Sequence, residues 1–247
     1  MHPINRALSR FGFQVHRVQQ QPADCRSEYV KMLDHFGITL ILDVGAHEGV
    51  TAQHLFENGY RGRIISFEPV RKHFAVLSAK CIAASEKGHR WEALQFAIGD
   101  KDEESFINIA NNGLSSSLTD MLPMHMEINS ESHYVGRERI DIRRLDSMFP
   151  KLIQPHDKVL LLLDVQGFEP QALEGAQESL DGLTGVQLEI GFRQAYASGF
   201  DVPTAFGVMS AKGFTPCYVE PAWKDTRSFV FYQVDVLWFR IQGNNEH

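Results

Sequence analysis

Five acidic residues of this 247-residue chain stand at or just beyond the ends of apolar runs. They are Asp43, Glu68, Asp164 and Glu189, with Asp100 two residues beyond a fifth run. If the runs are parallel strands, their carboxyl ends meet at one edge of a sheet, so these groups border one crevice. Carboxylates there can accept hydrogen bonds from ribose hydroxyls or remove protons as general bases. We therefore predict the active site at this edge.

The segment 40–49, LILDVGAHEG, is the sharpest local signal. It predicts a strand, a tight turn and the start of a helix. Gly45 and Gly49 let a ligand approach the backbone closely, and the helix N-terminus supplies free N–H groups. An acid before the turn, Asp43, does not suit a phosphate. It suits a ligand with an amino group or a positive charge, such as S-adenosylmethionine.

Glu68 lies 23 positions after Gly45, at the end of the next predicted strand. A carboxylate there can bind a ribose diol, which both nicotinamide cofactors and S-adenosylmethionine carry. Dinucleotide-binding turns need G-x-G-x-x-G, and this turn reads GAHEG. The glycine pattern is therefore weak evidence for a nicotinamide cofactor and better evidence for S-adenosylmethionine.

The elements that position these acids alternate between strand and helix. We predict strands over 38–44, 62–67, 91–98, 159–163 and 185–190, and helices over 71–84, 169–180 and 202–212. This order predicts an α/β fold with a mostly parallel sheet covered on both faces. The runs 105–110, 114–118 and 138–145 predict an antiparallel insertion. The runs 214–219 and 228–241 leave no room for a crossover helix, so they predict a terminal antiparallel hairpin.

Two helices are predicted before the first strand. Ile4, Leu8 and Phe11 recur at helical spacing, and a second helix covers 27–35. We expect residues 1–37 to pack on a main domain of residues 38–247 that carries the insertion at about 105–145. A basic amphipathic helix for a membrane surface or a partner is the alternative for the first segment.

Composition narrows the class of protein. The 24 basic and 31 acidic residues give a net charge of −7, which speaks against a nucleic-acid partner. Cys25, Cys81 and Cys217 are far apart and predict neither a disulfide framework nor a metal site, so we expect a cytoplasmic protein. The longest apolar run, 159–163, is too short to cross a bilayer, and the N-terminus lacks the apolar segment of a signal peptide.

Several ordered motifs together resemble the FkbM-type methyltransferases. LDVGAHEG at 42–49 resembles L-D-V-G-A-N-x-G, and LLLDVQGFEPQALEGA at 161–176 resembles L-K-I-D-V-E-G-x-E-x-x-x-L-x-G-A. Further similar segments are ISFEP at 65–69, FAIGD at 96–100, LSSSL at 114–118, RLDS at 144–147 and QVDVLWFR at 233–240. The resemblance covers roughly residues 38–241.

The resemblance implies a class I methyltransferase (Rossmann-like) fold and S-adenosylmethionine as cofactor. The loop Gly45–His47 would face the methionine moiety, Glu68 the ribose and Ala97–Ile98 the adenine, with Asp164 beside the transferred methyl. The candidate cofactor-binding residues are Asp43, Gly45, Ala46, His47, Gly49, Glu68, Pro69, Ala97, Ile98, Asp100, Ser116, Ser117 and Asp164. It also implies methylation of a hydroxyl on a small-molecule acceptor: a sugar, a glycan or a natural product.

An alcohol acceptor needs a base near its hydroxyl. We predict Asp164 as the catalytic base and Glu189 as the second candidate. Asp164 as a pure cofactor ligand and Glu189 as a loop-anchoring carboxylate are the alternatives. His47 stands where the family has Asn, and Gln166 where it has Glu, which removes one carboxylate and weakens a metal site there. We predict no metal.

Three further alternatives stay open. His125 and His133, with Asp120 and Glu127 nearby, could bind a metal, although two histidines in a polar loop are usually surface residues. The chain could be a nicotinamide-dependent oxidoreductase, or a module that binds S-adenosylmethionine without turnover.

Overall fold

A computed structural model describes residues 27–224 and 228–241 of the chain. The α-helices are α1 (Glu28–Phe36), α2 (Val50–Glu57), α3 (Arg71–Glu86), α4 (Pro123–Ile128), α5 (Leu145–Leu152), α6 (Glu169–Glu174) and α7 (Val202–Ala211). The strands are β1 (Leu40–Val44), β2 (Arg63–Phe67), β3 (Arg90–Leu94), β4 (Ala97–Ile98), β5 (Glu103–Ala110), β6 (Tyr134–Arg143), β7 (Val159–Leu163), β8 (Leu183–Gly191), β9 (Thr215–Lys224) and β10 (Phe231–Phe239).

The main sheet has seven strands in the order β3-β2-β1-β7-β8-β10-β9. Strands β3, β2, β1, β7 and β8 are parallel, whereas β10 runs antiparallel to both β8 and β9. The predicted parallel sheet and terminal hairpin are therefore confirmed. The chain moves outward from β1 to β3 and returns to β7 on the other side of β1. This reversal opens a crevice at the carboxyl ends of β1 and β7, where α/β proteins bind ligands.

Alternate residues of the central strands enter two separate hydrophobic layers. Leu42 faces a layer with Leu145 and Ala205 from the later helices, whereas Ile41 faces a layer with Leu33 of α1 and Leu55 of α2. A strand buried on both faces is apolar, which explains the continuous VLLLL run and all of LILDV except Asp43, whose buried carboxylate is hydrogen-bonded. The two layers hold the carboxyl ends of β1 and β7 rigidly beside each other.

Helix α1 confirms the helix predicted over 27–35. Ser27 caps its start, since its hydroxyl accepts from the Val30 amide, and Gly37 ends it with a left-handed φ of 68°. Val30 and Leu33 are buried in the second layer. The helix predicted from Ile4, Leu8 and Phe11 lies outside the described residues. None of the described helices combines the length and apolar character needed to cross a bilayer.

The single strand predicted over 91–98 is wrong. Strand β3 ends at Leu94, the exposed Gln95 turns the chain, and Ala97–Ile98 pairs with β6 in a second sheet of order β4-β6-β5. Hydrophobic periodicity is the same on both sides of the turn, so it does not reveal a change of sheet. Asp100 therefore follows a strand of the second sheet and not one of the main sheet.

Two other element predictions need correction. Residues 114–118 are not a strand but a loop that touches β5 through one bridge, Asn108 to Ser117. The Ser116 hydroxyl accepts from the Ala110 amide and donates to the Gly113 carbonyl, which favours a turn over an extended strand. The helix predicted over 169–180 ends at Glu174. Beyond it, the Asp146 carboxylate accepts from the backbone amides of Glu178 and Ser179, which favours the 3₁₀ turn found there.

Candidate active site

A cleft with about 580 Å³ of empty space, counted to its open mouth, lies at the carboxyl ends of β1, β2 and β7. It is lined by Val44, Gly45, His47, Phe67, Glu68, Pro69, Val70, His73, Ala97, Ile98, Ile107, Gly113, Leu114, Ser116, Leu118, Asp164, Val165, Gln166 and Phe168.

The glycine loop after β1 is built around close backbone contacts. Gly45 has a φ of 86°, and a Cβ there would clash with the backbone oxygen of Asp164. Gly49 caps α2 in a left-handed conformation, and a Cβ there would meet the ring of Trp91. Both glycines are therefore needed by the fold itself, in addition to any approach of a ligand.

Glu68 holds the glycine loop to the end of β2. One carboxylate oxygen accepts from the His47 amide at 2.9 Å and the other from the Val70 amide at 2.8 Å. Burial raises the pKa of Glu68 to about 7, although the two amide bonds act in the opposite direction. A carboxylate has about four acceptor positions, so two stay available to hydroxyls in the cleft.

Asp43 is buried behind the loop and does not line the cleft. Its carboxylate accepts a hydrogen bond from the Ser66 hydroxyl at 2.8 Å. The Ser66 oxygen in turn accepts one from the Trp91 indole at 2.9 Å. Burial raises the pKa of Asp43 to about 6. Its contacts are those of a group that fixes β1 against β2.

The predicted cofactor-binding residues divide into two sets. Those that line the cleft are Gly45, His47, Glu68, Pro69, Ala97, Ile98, Ser116 and Asp164. Those that do not are Asp43, Ala46, Gly49, Asp100 and Ser117. Ser117 is buried and donates its hydroxyl to the backbone oxygen of Gln166 at 2.6 Å, so it supports the loop after β7.

Asp164 lies where two cavities meet. It lines the cleft and also a second cavity, with about 890 Å³ of empty space counted in the same way, between α1, α2 and the strands β8, β9 and β10. Its side chain is open to these cavities while protein surrounds it, and this partial loss of water raises its pKa. The second cavity is lined by Ser27, Glu28, Tyr29, Thr51, His54, Leu55, Asn58, Leu162, Asp164, Gln187, Tyr218, Glu220 and Asp235.

Gln166 connects Asp164 to Glu189. Its amide nitrogen donates to Asp164 Oδ1 at 2.6 Å and lies 3.5 Å from Glu189 Oε2, while its amide oxygen accepts from the Tyr196 hydroxyl at 2.7 Å. Gln233 also donates to Glu189, at 2.7 Å. Burial and the nearby charge of Asp164 raise the pKa of Glu189 well above its usual value. Glu189 lines a small pocket beside Gln166 and not the cleft.

Two residues near the site were not found from the sequence. His73, in the first turn of α3, lines the cleft, and nothing in the pattern of that helix singles it out. Asp235 lines the second cavity, and the alternation of polar residues in its strand could have indicated it. Gln187 and Glu189 in β8, like Gln233 and Asp235 in β10, place polar residues two apart where a buried face should be apolar.

The two insertion histidines do not form a pair. His133 is exposed, as expected, but the surface position expected for His125 is wrong. His125 is buried with ring centroids 5.3 Å from Tyr196 and 4.9 Å from Trp223. This aromatic packing joins the insertion to the β8–β10 end of the sheet.

A parallel sheet that reverses between β1 and β7, an acid after β2 and a terminal antiparallel hairpin define the class I methyltransferase fold. Residues 43–216 match the family model described as the methyltransferase FkbM domain. The chain therefore belongs to the FkbM methyltransferase family and is an S-adenosylmethionine-dependent methyltransferase. This finding decides against a nicotinamide-dependent oxidoreductase.

No curated protein matches the sequence. Among solved structures, magnesium protoporphyrin IX methyltransferase from Synechocystis PCC 6803, with bound SAM, has 12% identity and a TM-score of 0.47 over 96% of this chain and 95% of that one. TrmK from M. capricolum, with S-adenosylhomocysteine, has 10% identity and a TM-score of 0.48 over 90% and 73%. An rRNA methylase from Streptococcus thermophilus has 12% identity and a TM-score of 0.44 over 87% and 95%.

Proposed function

We propose that the protein is an O-methyltransferase that acts on a hydroxyl of a small acceptor, a sugar, a glycan or a polyhydroxylated natural product. The observation that carries this proposal is the position of Asp164, whose carboxylate opens both to the cleft and to the second cavity. A donor in the cleft and an acceptor in the second cavity would both reach this one base.

The second cavity suits an acceptor rich in O–H donors. Its lining includes the carboxylates of Glu28, Asp164, Glu220 and Asp235, and within residues 27–224 and 228–241 no Lys or Arg contributes to it. Carboxylates accept hydrogen bonds from hydroxyls and repel phosphates, so the lining favours a polyol over a nucleic-acid backbone. The net charge of −7 agrees with this choice.

The cleft fits S-adenosylmethionine in the donor position. The loop Gly45–His47 would border the methionine moiety, and the free acceptor positions of Glu68 would receive the ribose hydroxyls. Ala97 and Ile98 would pack on the adenine, with Ser116 at the mouth. The carboxylate of Asp164 would lie near the sulfonium charge.

When bound, the cofactor supplies a methyl group on a positively charged sulfur, which is a good leaving group. Asp164 accepts the proton of the acceptor hydroxyl while the new O–C bond forms and the C–S bond breaks. Partial burial raises the pKa of Asp164, which makes it a stronger base than an exposed carboxylate. Gln166 holds Oδ1 and leaves Oδ2 free for the proton.

The test is methyl transfer from labelled S-adenosylmethionine to a panel of sugars, polyols and amines, with cofactor binding measured by calorimetry. We expect micromolar cofactor binding and methylated hydroxyls. Asp164→Asn should lower kcat at least about 100-fold, the usual size of a lost general base, while changing cofactor affinity less than about 10-fold. Glu189→Gln is the matched control and should keep most activity. Methylation of amines alone would contradict the proposal, and cofactor binding without any turnover would favour a non-catalytic module.

We also propose a reducing, cytoplasmic setting. Among the described residues Cys81 and Cys217 are free thiols, the first buried and the second exposed. Burial raises the pKa of Cys81 to about 12, so it behaves as a small apolar core residue.

A further inference from the structure

Three metal-ligating side chains meet in the wall of the cleft. His47 and Glu48 come from the glycine loop and His73 from the first turn of α3. Each offers one ligand atom, and the three atoms all lie within 4.8 Å of one another. The two imidazole rings lie with centroids 3.9 Å apart and planes inclined at 36°.

The two histidines have unmet bonding capacity at this point. His47 Nε2 and His73 Nδ1 are buried and have no hydrogen-bond partner among the described residues, and His73 is only 5% exposed. His73 Nδ1 lies 3.5 Å from Glu48 Oε1, which is an ion-pair distance and not a hydrogen bond. Leaving a buried polar atom unpaired costs about 1–3 kcal/mol. A bound ion is one of the usual partners for such atoms.

We propose that His47, Glu48 and His73 form a binding site for a divalent transition metal of the zinc type, with one coordination position open to the cleft. Two imidazole nitrogens and one carboxylate oxygen are a donor set that zinc uses when it keeps an open position. Tetrahedral ligand atoms at zinc distances lie about 3.3 Å apart, so the three side chains have to draw inward by roughly an ångström.

The surroundings of the site fit a metal of moderate affinity. The two imidazole rings lie against each other in the wall of the cleft, and the Glu48 carboxylate supplies a negative charge beside them. Gly113 covers the rings from the serine loop, where a Cβ would lie 3.3 Å from His73 and 3.6 Å from His47. The Lys80 ammonium donates a hydrogen bond to the Glu48 carbonyl at 2.7 Å. Its positive charge near the site should weaken metal binding.

This site goes beyond the proposed function, because methyl transfer from a sulfonium does not need a metal. Imidazole nitrogen is a ligand that suits zinc, and His47 and His73 supply two such nitrogens. A metal with an open position toward the cleft would contact whatever ligand occupies the loop side of the cleft. Metal binding and cofactor binding should therefore change each other's affinity.

The test is titration of the full-length, metal-stripped protein with Co²⁺ alone, followed by displacement with Zn²⁺. We expect one equivalent of Co²⁺ with the intense visible absorption of a four-coordinate site. His47→Asn, Glu48→Gln and His73→Asn should each weaken binding at least about 10-fold. His54→Asn, which changes an exposed histidine of α2, is the matched control and should bind as the wild type does.

Cofactor binding by the metal-free proteins is measured beside the metal titration. Cofactor binding by the metal-free wild type tests the methyltransferase assignment separately from the metal site, and an unchanged thermal unfolding temperature shows that each variant is folded. Equal Co²⁺ affinity in the wild type and all three variants would overturn the proposal. So would a weak, six-coordinate spectrum in a wild-type protein that binds S-adenosylmethionine normally.

Discussion

We call the cleft beside Gly45 and Glu68 the cofactor side of the proposed active site, and the second cavity with the neighbouring Glu189 its acceptor side. The buried acids of the two sides find their hydrogen-bond donors in different ways. On the cofactor side, Glu68 accepts from two backbone amides and Asp43 from the nearby Ser66 hydroxyl. On the acceptor side, Glu189 depends on side-chain amides from other elements, and Asp235 accepts no hydrogen bond from the described residues. The carboxylate that lines the cleft is therefore held by backbone donors, whereas Glu189 is held by side-chain donors.

This difference has a physical consequence. Backbone donors are fixed by the loop conformation, so the cofactor side is pre-organised before a ligand arrives. Side-chain donors can rotate or be replaced by mutation, so the acceptor side can change its chemistry without loss of the fold. Such an arrangement allows one cofactor cleft to serve different acceptors, and it predicts different mutational responses in the two halves.

The largest effect should come from the backbone of the cofactor side. Gly45→Ala places a Cβ against the Asp164 carbonyl at a φ that side chains avoid, so we expect a loss of about 2–4 kcal/mol in stability and no measurable cofactor binding. Chemical denaturation and calorimetry would measure both. Gly175→Ala is the control, since its Cβ would clash with Gly99 at ordinary φ and away from the cleft. If Gly45→Ala binds the cofactor normally, the cofactor side is not pre-organised.

Glu68→Gln should give the next largest effect. A Gln side chain offers one oxygen in place of two, so one of the His47 and Val70 amides loses its acceptor. We expect cofactor binding to weaken about 10–100-fold, the equivalent of 1–3 kcal/mol. Calorimetry at constant pH measures this. Glu92→Gln, which removes the same charge at an exposed position of β3, is the control, and an equal effect there would mean that charge alone matters.

The cofactor side was also the half that the sequence predicted best. Gly45, Glu68 and Ile98 were placed in the cleft from short motifs, because strand, turn and helix follow one another within a few residues. The same local pattern also predicted Asp43 as a cofactor-binding residue, but Asp43 is buried and does not line the cleft. A one-residue step along β1 reverses the face to which a side chain points, so its type alone does not say whether it meets a ligand or the core.

The acceptor side was predicted only in part. Asp164 follows a continuous apolar run, and that position was found. The partnership of Gln166 with Tyr196 joins residues 30 positions apart through the fold, and no local pattern encodes it. Likewise, Asp235 lies beside β8 only because the terminal hairpin places strand β10 between β8 and β9. Long-range pairing of this kind is fixed by packing and not by propensity.

Gln166→Glu tests whether the acceptor side depends on its side-chain donor. The new carboxylate would face Asp164 Oδ1 where an amide now donates, so the pKa of Asp164 should rise further. A base must be ionised to work, so the acidic limb of kcat/KM against pH should move upward by about one unit, with full activity kept at high pH. Gln166→Met removes the donor without adding charge and should give a smaller upward shift. A profile unchanged by either variant would exclude Asp164 as the titrating base.

Asp235→Asn should have the smallest effect, and that effect should appear in stability. Burial raises the pKa of Asp235 to about 7 in the folded protein, whereas its ordinary value is 3.8. Between these values the unfolded chain is ionised and the folded chain is still protonated, so rising pH from about 4 to 7 destabilises the wild type. The variant lacks this loss of stability and should be about 1–2 kcal/mol more stable than the wild type at pH 8, with no such gain at pH 4.

Denaturant titrations at the two pH values measure the difference, with Asp181→Asn, at an exposed position, as the control. An equal gain at both pH values would show that Asp235 is not held protonated by its cavity. The unpaired acid would then not distinguish the acceptor side from the cofactor side.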